Sequence, residues 1–351
     1  MKTFLSGLAA ASLALAGTAA VAGPAPAPPP VRVQQSLPAA AHDWLSQVAL
    51  WGQGYDAVTT SRSNTLLWML DAPNILVDKL DTGNKASARL WATTWAAEAR
   101  QRLDADIAAY ERLPTALPAF PADLPMTAEH AERLETMSTI PDRTGSLLIS
   151  SGQSGQTYIQ LVEQAASGRP EDMDRLAAGI YVMMISTTEA ENVMMESLRG
   201  RRSEPNYHWR TAMIEVNKAL VAWMHHNKAV LFGEPSDAAA ASRAIREHAS
   251  NTRAAADEMD ATTDQASANM EADAALQRSE LAVMLRRVFA SIRQSAEVER
   301  RMAAELDTLA TATLGDDEAG SDASLARIET LTNERIAIDA ARRQMMAQGP
   351  V

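Results

Sequence analysis

The residues of this chain whose types could bind a small molecule are glutamines placed between glycines, at 51–55 (WGQGY) and 151–156 (SGQSGQ). Side-chain amides donate and accept hydrogen bonds, and aromatic rings form apolar pocket walls. A glycine inside a helix costs about 1 kcal/mol relative to alanine, so we expect a packing or binding benefit to offset it. The pattern predicts either close helix contact at the glycines or a small-ligand site formed by Trp51, Gln53, Tyr55, Gln153 and Gln156.

Methionine and histidine could together bind Cu(I), because a soft ion prefers soft thioether ligands. The chain has 17 methionines, and Met184 and Met195 are spaced to share nearly one helix face. Methionine is also an ordinary core residue, so we expect these side chains to pack in the interior. His225 and His226 follow Met224 near a helix end, where we expect capping or surface roles. We therefore predict no metal site and keep copper binding as an alternative.

Motifs of the common enzyme classes do not occur in the sequence. The Glu-x-x-His motif of di-iron bundles is missing, as are His-Glu-x-x-His, Gly-x-Ser-x-Gly and the glycine-rich phosphate-binding and dinucleotide-binding patterns. Acidic residues are abundant, but on helices we expect them to form solvated faces. The sequence predicts a non-catalytic protein without a cofactor, and a hydrolase with an unrecognised carboxylate site is kept as an alternative.

Composition excludes further chemistries. The chain of 351 residues has no cysteine, which excludes disulfides and thiolate sites, and its formal net charge is −12. An acidic protein binds nucleic acid and anionic lipid poorly, so we predict no nucleic-acid partner.

The N-terminus has the pattern of a secretory signal. Lys2 precedes an alanine- and leucine-rich run, and residues 20–22 (AVA) match the small-x-small cleavage site. We expect cleavage after Ala22, export to a bacterial periplasm, and a disordered Pro/Ala-rich linker over residues 23–40. The mature chain shows no apolar run of the ~18 residues that a membrane span requires.

Beyond the linker, helical periodicity dominates and strand patterns are nearly absent. We predict an all-α fold: an elongated antiparallel bundle of about eight helices over residues 41–348, with long coiled-coil-like segments and a possible subdivision near residue 236. The expected helices span 42–71, stopped near Pro73, and 84–112, followed by a proline-rich loop at 114–125; then come 127–166 with a break at Pro141, 170–199 and 205–231. The next helix runs from a cap at Ser236 to the 270s, and the one after it spans 279–313, where a slip in the apolar spacing between Ile292 and Val298 predicts a bend or a change of packing partner. A flexible acidic linker at 315–320 precedes the last helix, 322–348.

The helix after Ser236 has an unusual seam. Its regularly spaced residues are mostly small or polar, so burying them returns little apolar area. We predict that this helix is a partner-binding or oligomerising arm, or alternatively a peripheral helix of the same bundle. The seam positions proposed for partner contact are Ile245, His248, Thr252 and Met259.

These observations favour an exported, non-catalytic interaction or scaffold protein. The expected partner is another envelope protein or a second copy of the chain. The first alternative is a periplasmic small-molecule-binding or sensory domain that uses the glycine–glutamine and tryptophan region.

Overall fold

The computed structural model describes residues 39–122, 126, 128–200, 202–273, 277 and 280–348. The predicted signal and all but the last two residues of the predicted linker lie outside these residues. In the described chain we distinguish ten helices: α1 Ala39–Leu70, α2 Ala72–Asp81, α3 Lys85–Tyr110, α4 Ala128–Ser138, α5 Ile140–Ala165, α6 Pro170–Ser197, α7 Pro205–Leu231, α8 Ala238–Ala272, α9 Glu280–Leu314 and α10 Glu318–Gln348.

Consecutive helices pack on one another, which confirms the predicted all-α bundle. From α5 to α10 each helix contacts the next, while α1 packs on α3 and α5, and α3 packs on α5. The main core runs through these helices and buries large side chains, among them Trp95, Tyr158, Leu220, Ile245 and Leu325. Burying each such side chain contributes about 1.5–3 kcal/mol. Leu220 and Ile245 come from opposite sides of the predicted subdivision near residue 236.

Several predicted helix boundaries need correction. The first helix ends at Leu70, close to the expected stop near Pro73, but a helix that the sequence did not predict, α2, starts directly after it with Pro73 in its first turn, where the missing N–H is tolerated. Asp237, rather than Ser236, caps α8 by accepting a hydrogen bond from the Ala240 N–H at 3.0 Å. The acidic linker predicted before residue 322 is short, since α10 begins at Glu318.

The packing of α9 changes along its length, as the slip in its apolar spacing predicted. Ile292 belongs to a small cluster with Ala256 and Met259 of α8. Val298, less than two turns later, belongs to the main core. The helix continues through this change without a break.

Buried polar side chains connect α9 to α10. The Glu299 and Arg335 side chains are 0 % and 2 % exposed, and their Oε1 and Nη1 atoms lie 3.5 Å apart. Arg342 donates from Nε to the Ser291 hydroxyl at 3.2 Å. Burial raises the pKa of Glu299, and the charge of Arg335 opposes this rise. These contacts fix which turns of the two helices face each other.

In the described part of the chain, no helix is both long enough and apolar enough to cross a membrane.

Candidate functional site

A cavity of about 190 Å³, here called the end cavity, lies where α6, α7, α9 and α10 meet. It is formed by one residue of α6, the last turns of α7 and α9, the turn between α9 and α10, and the start of α10. Its lining consists of Tyr181, Trp223, His226, Asn227, Val230, Leu231, Ala312, Thr313, Asp316, Asp317, Glu318, Ser321 and Asp322.

Two tight turns place these helix ends side by side. After α7 the chain turns at Gly233, whose φ of 64° suits a residue without a Cβ. Between α9 and α10, Asp316 has a φ of 51°. Asp317 then caps the start of α10, because its Oδ1 accepts a hydrogen bond from the Gly320 N–H at 2.9 Å. The acidic residues of this turn therefore face the end of α7.

The buried side of the end cavity is aromatic and polar. Tyr181 is fully buried, and its hydroxyl accepts a hydrogen bond from Asn227 Nδ2 at 3.4 Å. Burial raises the pKa of Tyr181, so the phenol stays protonated. His226 is 8 % exposed, and its Nδ1 lies 2.6 Å from the Ser236 hydroxyl. Trp223 is also buried beside these groups.

The opposite side of the end cavity is acidic. Asp316, Asp317, Glu318 and Asp322 all line it, and among the described residues no lysine or arginine does. Asp317 and Glu318 are stabilised by the N-terminal end of the α10 dipole. Asp322 lies one turn further into α10, where this effect has faded. Burial, and secondly the charge of Glu318, raises the pKa of Asp322.

The ionised form of the Asp322 carboxyl group is therefore disfavoured at this position. Within the described residues no hydrogen bond or ion pair is made to its carboxylate, and the charge of Glu318, which contributes to the raised pKa, would also favour a cation. Apolar contact is available from Val230 and Leu231, which are 48 % and 44 % exposed. The cavity therefore combines negative potential on one side with apolar and aromatic surface on the other.

The five residues predicted to bind a ligand lie elsewhere, on α1 and α5. Trp51 Nε1 and the Tyr55 hydroxyl both donate to the Pro114 carbonyl, at 2.8 and 3.0 Å. These two aromatic residues therefore hold the proline-rich loop after α3. Gln53 and Gln153 are exposed, and Gln156 is half-buried. Ligand binding by this group stays a prediction.

Two of the glycines in those stretches have a packing explanation. A Cβ on Gly54 would lie 2.8 Å from Leu113, and one on Gly155 would lie 3.0 Å from Leu103. Both glycines therefore permit close approach of neighbouring side chains. Gly152 has more space, since its nearest neighbour, Arg62 Nη2, would be 3.9 Å from an added Cβ.

The four seam residues predicted to contact a partner are engaged within the chain. Ile245, Thr252 and Met259 are buried, and α8 lies between α7 and α9. His248 Nδ1 lies 2.8 Å from Glu215 Oε2 of α7. This is the packing of a bundle helix, the alternative considered for α8, and partner binding by these residues stays a prediction.

Sequence reasoning missed the end cavity. Of the capping or surface roles expected for the two histidines, His225 fits the surface role because it is exposed. The ring of His226 is buried beside the Ser236 hydroxyl, which excludes a surface role for this residue. The sequence signal was the acidic run at residues 316–318. Such a run predicts a flexible linker, but an acidic residue next to a helix start is also typical of an N-cap, which is the role of Asp317. In the described residues no group of three or more His, Cys, Asp or Glu side chains is arranged to hold a metal ion.

Comparisons with protein family models, with curated proteins and with solved structures give no match to this chain, so its function has to be argued from the site.

Proposed function

We propose that this protein binds a small organic cation in the end cavity, as a small-molecule-binding helical protein. The observation that supports this most directly is Asp322, a partly buried carboxylate without a cationic partner in the described chain that faces apolar surface across the cavity. An ammonium group near Asp322 would offset the cost of its burial. The alkyl part of such a ligand would contact Val230 and Leu231.

The size of the cavity limits the ligand. About 190 Å³ corresponds to roughly six water molecules at ~30 Å³ each. This is smaller than the 300–1,000 Å³ of drug-sized sites, so the ligand has roughly four to eight non-hydrogen atoms. Ethanolamine and choline are of this size and charge. Trp223 and Tyr181 at the buried side are the ring types that attract ammonium groups.

Titration calorimetry with ethanolamine and choline tests the proposal, with 3,3-dimethylbutan-1-ol as the neutral counterpart of choline. We expect at least one cation to bind and the neutral alcohol to bind at least tenfold more weakly. Asp322→Asn should weaken cation binding at least fivefold, because it removes the partly buried charge. Glu258→Gln, on the exposed side of α8, is the matched control and should leave binding unchanged.

Two results would reject the proposal. One is that neither cation binds. The other is that the alcohol binds as well as choline, which would show that the acidic side of the cavity has no part in recognition.

Export to the periplasm is a separate proposal that rests on the sequence of residues 1–22. The interaction or scaffold role also stays a proposal, and a groove on the α9–α10 hairpin supports it.

A further inference from the structure

A second surface feature, here called the hairpin groove, runs between α9 and α10 and encloses about 700 Å³. It lies apart from the end cavity, toward the opposite ends of the two helices. Its floor is mainly small and apolar, with Ala290 and Val298 from α9 and Ala337, Ile338, Ala341 and Met345 from α10.

The residues that each helix contributes to the groove lie along one face of that helix. On α9 the lining positions include Arg287, Ala290, Gln294 and Glu297, at intervals of three and four residues. Positions so spaced lie along one side of a helix. Ala337 and Ala341 follow the same rule on α10, and their small side chains allow a docked helix to approach closely.

The charges of the hairpin groove are opposite at its two ends. Arg287 stands at one end, and no ion pair involves it within the described residues. Glu297 and Glu334 stand at the other end, where each also contacts an arginine of α9: Arg300 at 3.5 Å and Arg301 at 3.0 Å. Ten residues separate Arg287 from Glu297, which is about 15 Å along the helix.

This arrangement of charges is complementary to a second copy of itself that is rotated by 180°. A two-fold axis across the middle of the groove, level with Ala341, would bring Arg287 of one copy to Glu297 of the other, and the reverse contact would form at the same time. We propose that the hairpin groove is occupied by the α9–α10 hairpin of a second copy, so that the chain forms a two-fold symmetric dimer.

The proposed contact would extend over about 15 Å of α9 between Arg287 and Glu297, both of which are exposed. An interface confined to this groove would bury less than the roughly 1,200 Å² of stable complexes, so we expect a reversible dimer with a dissociation constant on the order of micromolar. A partner with uniformly acidic or uniformly basic flanks would match only one end of the groove, whereas a second copy matches both.

Sedimentation velocity of the full chain at increasing concentration, up to about 500 µM, tests the proposal in the range where small interfaces dissociate. Arg287→Glu should raise the dissociation constant about tenfold, because two symmetric attractions become repulsions. Glu297→Arg should do the same. The double variant, with both charges exchanged, should return to within about threefold of the parent.

Arg286→Glu is the matched control, since Arg286 is exposed on the same helix but does not line the groove. It should leave dimerisation unchanged. A chain that stays monomeric at every concentration overturns the proposal. Equal effects of Arg287→Glu and Arg286→Glu, or a double variant no better than the single ones, overturn it as well. Circular dichroism of each variant checks that the helices are retained.

Discussion

Replacing Glu215 by glutamine should remove one identifiable contribution to the acid sensitivity of this protein. Glu215 of α7 is 8 % exposed. Its Oε2 lies 2.8 Å from His248 Nδ1 and accepts from Asn251 Nδ2 at 2.9 Å, both on α8. Lys218 donates to Oε1 at 3.2 Å. The carboxylate therefore joins two neighbouring helices through its charged form.

The contribution of Glu215 to the free energy of unfolding follows from the pKa of its carboxyl group. Burial alone would raise the pKa of Glu215, but the hydrogen bonds from His248, Asn251 and Lys218 outweigh it and lower the pKa from 4.5 to about 2. Because the folded pKa is the lower one, the group stabilises the fold above about pH 4.5, and this stabilisation is lost as the pH falls toward 2. At 1.36 kcal/mol per pKa unit the full effect is about 2–3 kcal/mol, after the exposed Lys218 is discounted for solvent screening.

Urea unfolding followed by circular dichroism, between pH 6 and pH 3, measures this effect. The parent chain should be more stable than Glu215→Gln at pH 6, and the difference should shrink by about 1.5–2 kcal/mol by pH 3. Glu98→Gln is the control, because Glu98 is 48 % exposed in its pair with Arg102. Parallel stability curves for parent and Glu215→Gln would refute the reasoning, since the lowered pKa would then contribute nothing to folding.

Two further predictions concern the interior. Arg335→Met should cost about 3–5 kcal/mol because it leaves Glu299 buried without a counter-charge, whereas the double variant with Glu299→Leu should recover most of the loss, as measured by urea unfolding. Thermal unfolding should show Gly152→Ala stabilising the chain by about 0.5–1 kcal/mol, as expected for alanine in an uncrowded helix position. Gly155→Ala should give no gain, because its Cβ would lie 3.0 Å from Leu103; equal gains at both glycines would contradict the packing explanation.

The helices and their class could be predicted because the apolar spacing is local. The spacing of Leu220 and Trp223 on α7 follows directly from the helical repeat, and both are buried. The proline-rich segment after α3 was likewise recognised as a loop, but nothing local indicated that Trp51 and Tyr55 hold it at Pro114. Hydrogen bonds between residues about 60 positions apart depend on packing, which periodicity does not encode.

The end cavity could not be predicted for the same reason. Tyr181 and Asp322 come together only after four helices have packed, and each looks ordinary on its own helix. The buried pair of Glu299 and Arg335 was also hidden, because charged residues on a helix are usually exposed. The polar seam of α8 was recognised correctly, yet its burial against α7 and α9 shows that small and hydroxyl side chains can pack closely between helices.

The consecutive packing of α5 to α10 has a consequence for how the molecule assembles. Each of these helices packs most extensively against a helix that is adjacent to it in the sequence. Most contacts therefore join residues that are close along the chain, and such contacts can form early in folding. The end cavity is different, because its lining combines Tyr181 of α6 with Ser321 and Asp322 of α10. It can form only after the last helix has packed against the others. Until the α9–α10 turn has formed, the acidic side of the cavity does not exist. Binding of a cation would therefore report that the final helix has docked, and loss of that helix would remove the site while leaving earlier helix pairs able to form.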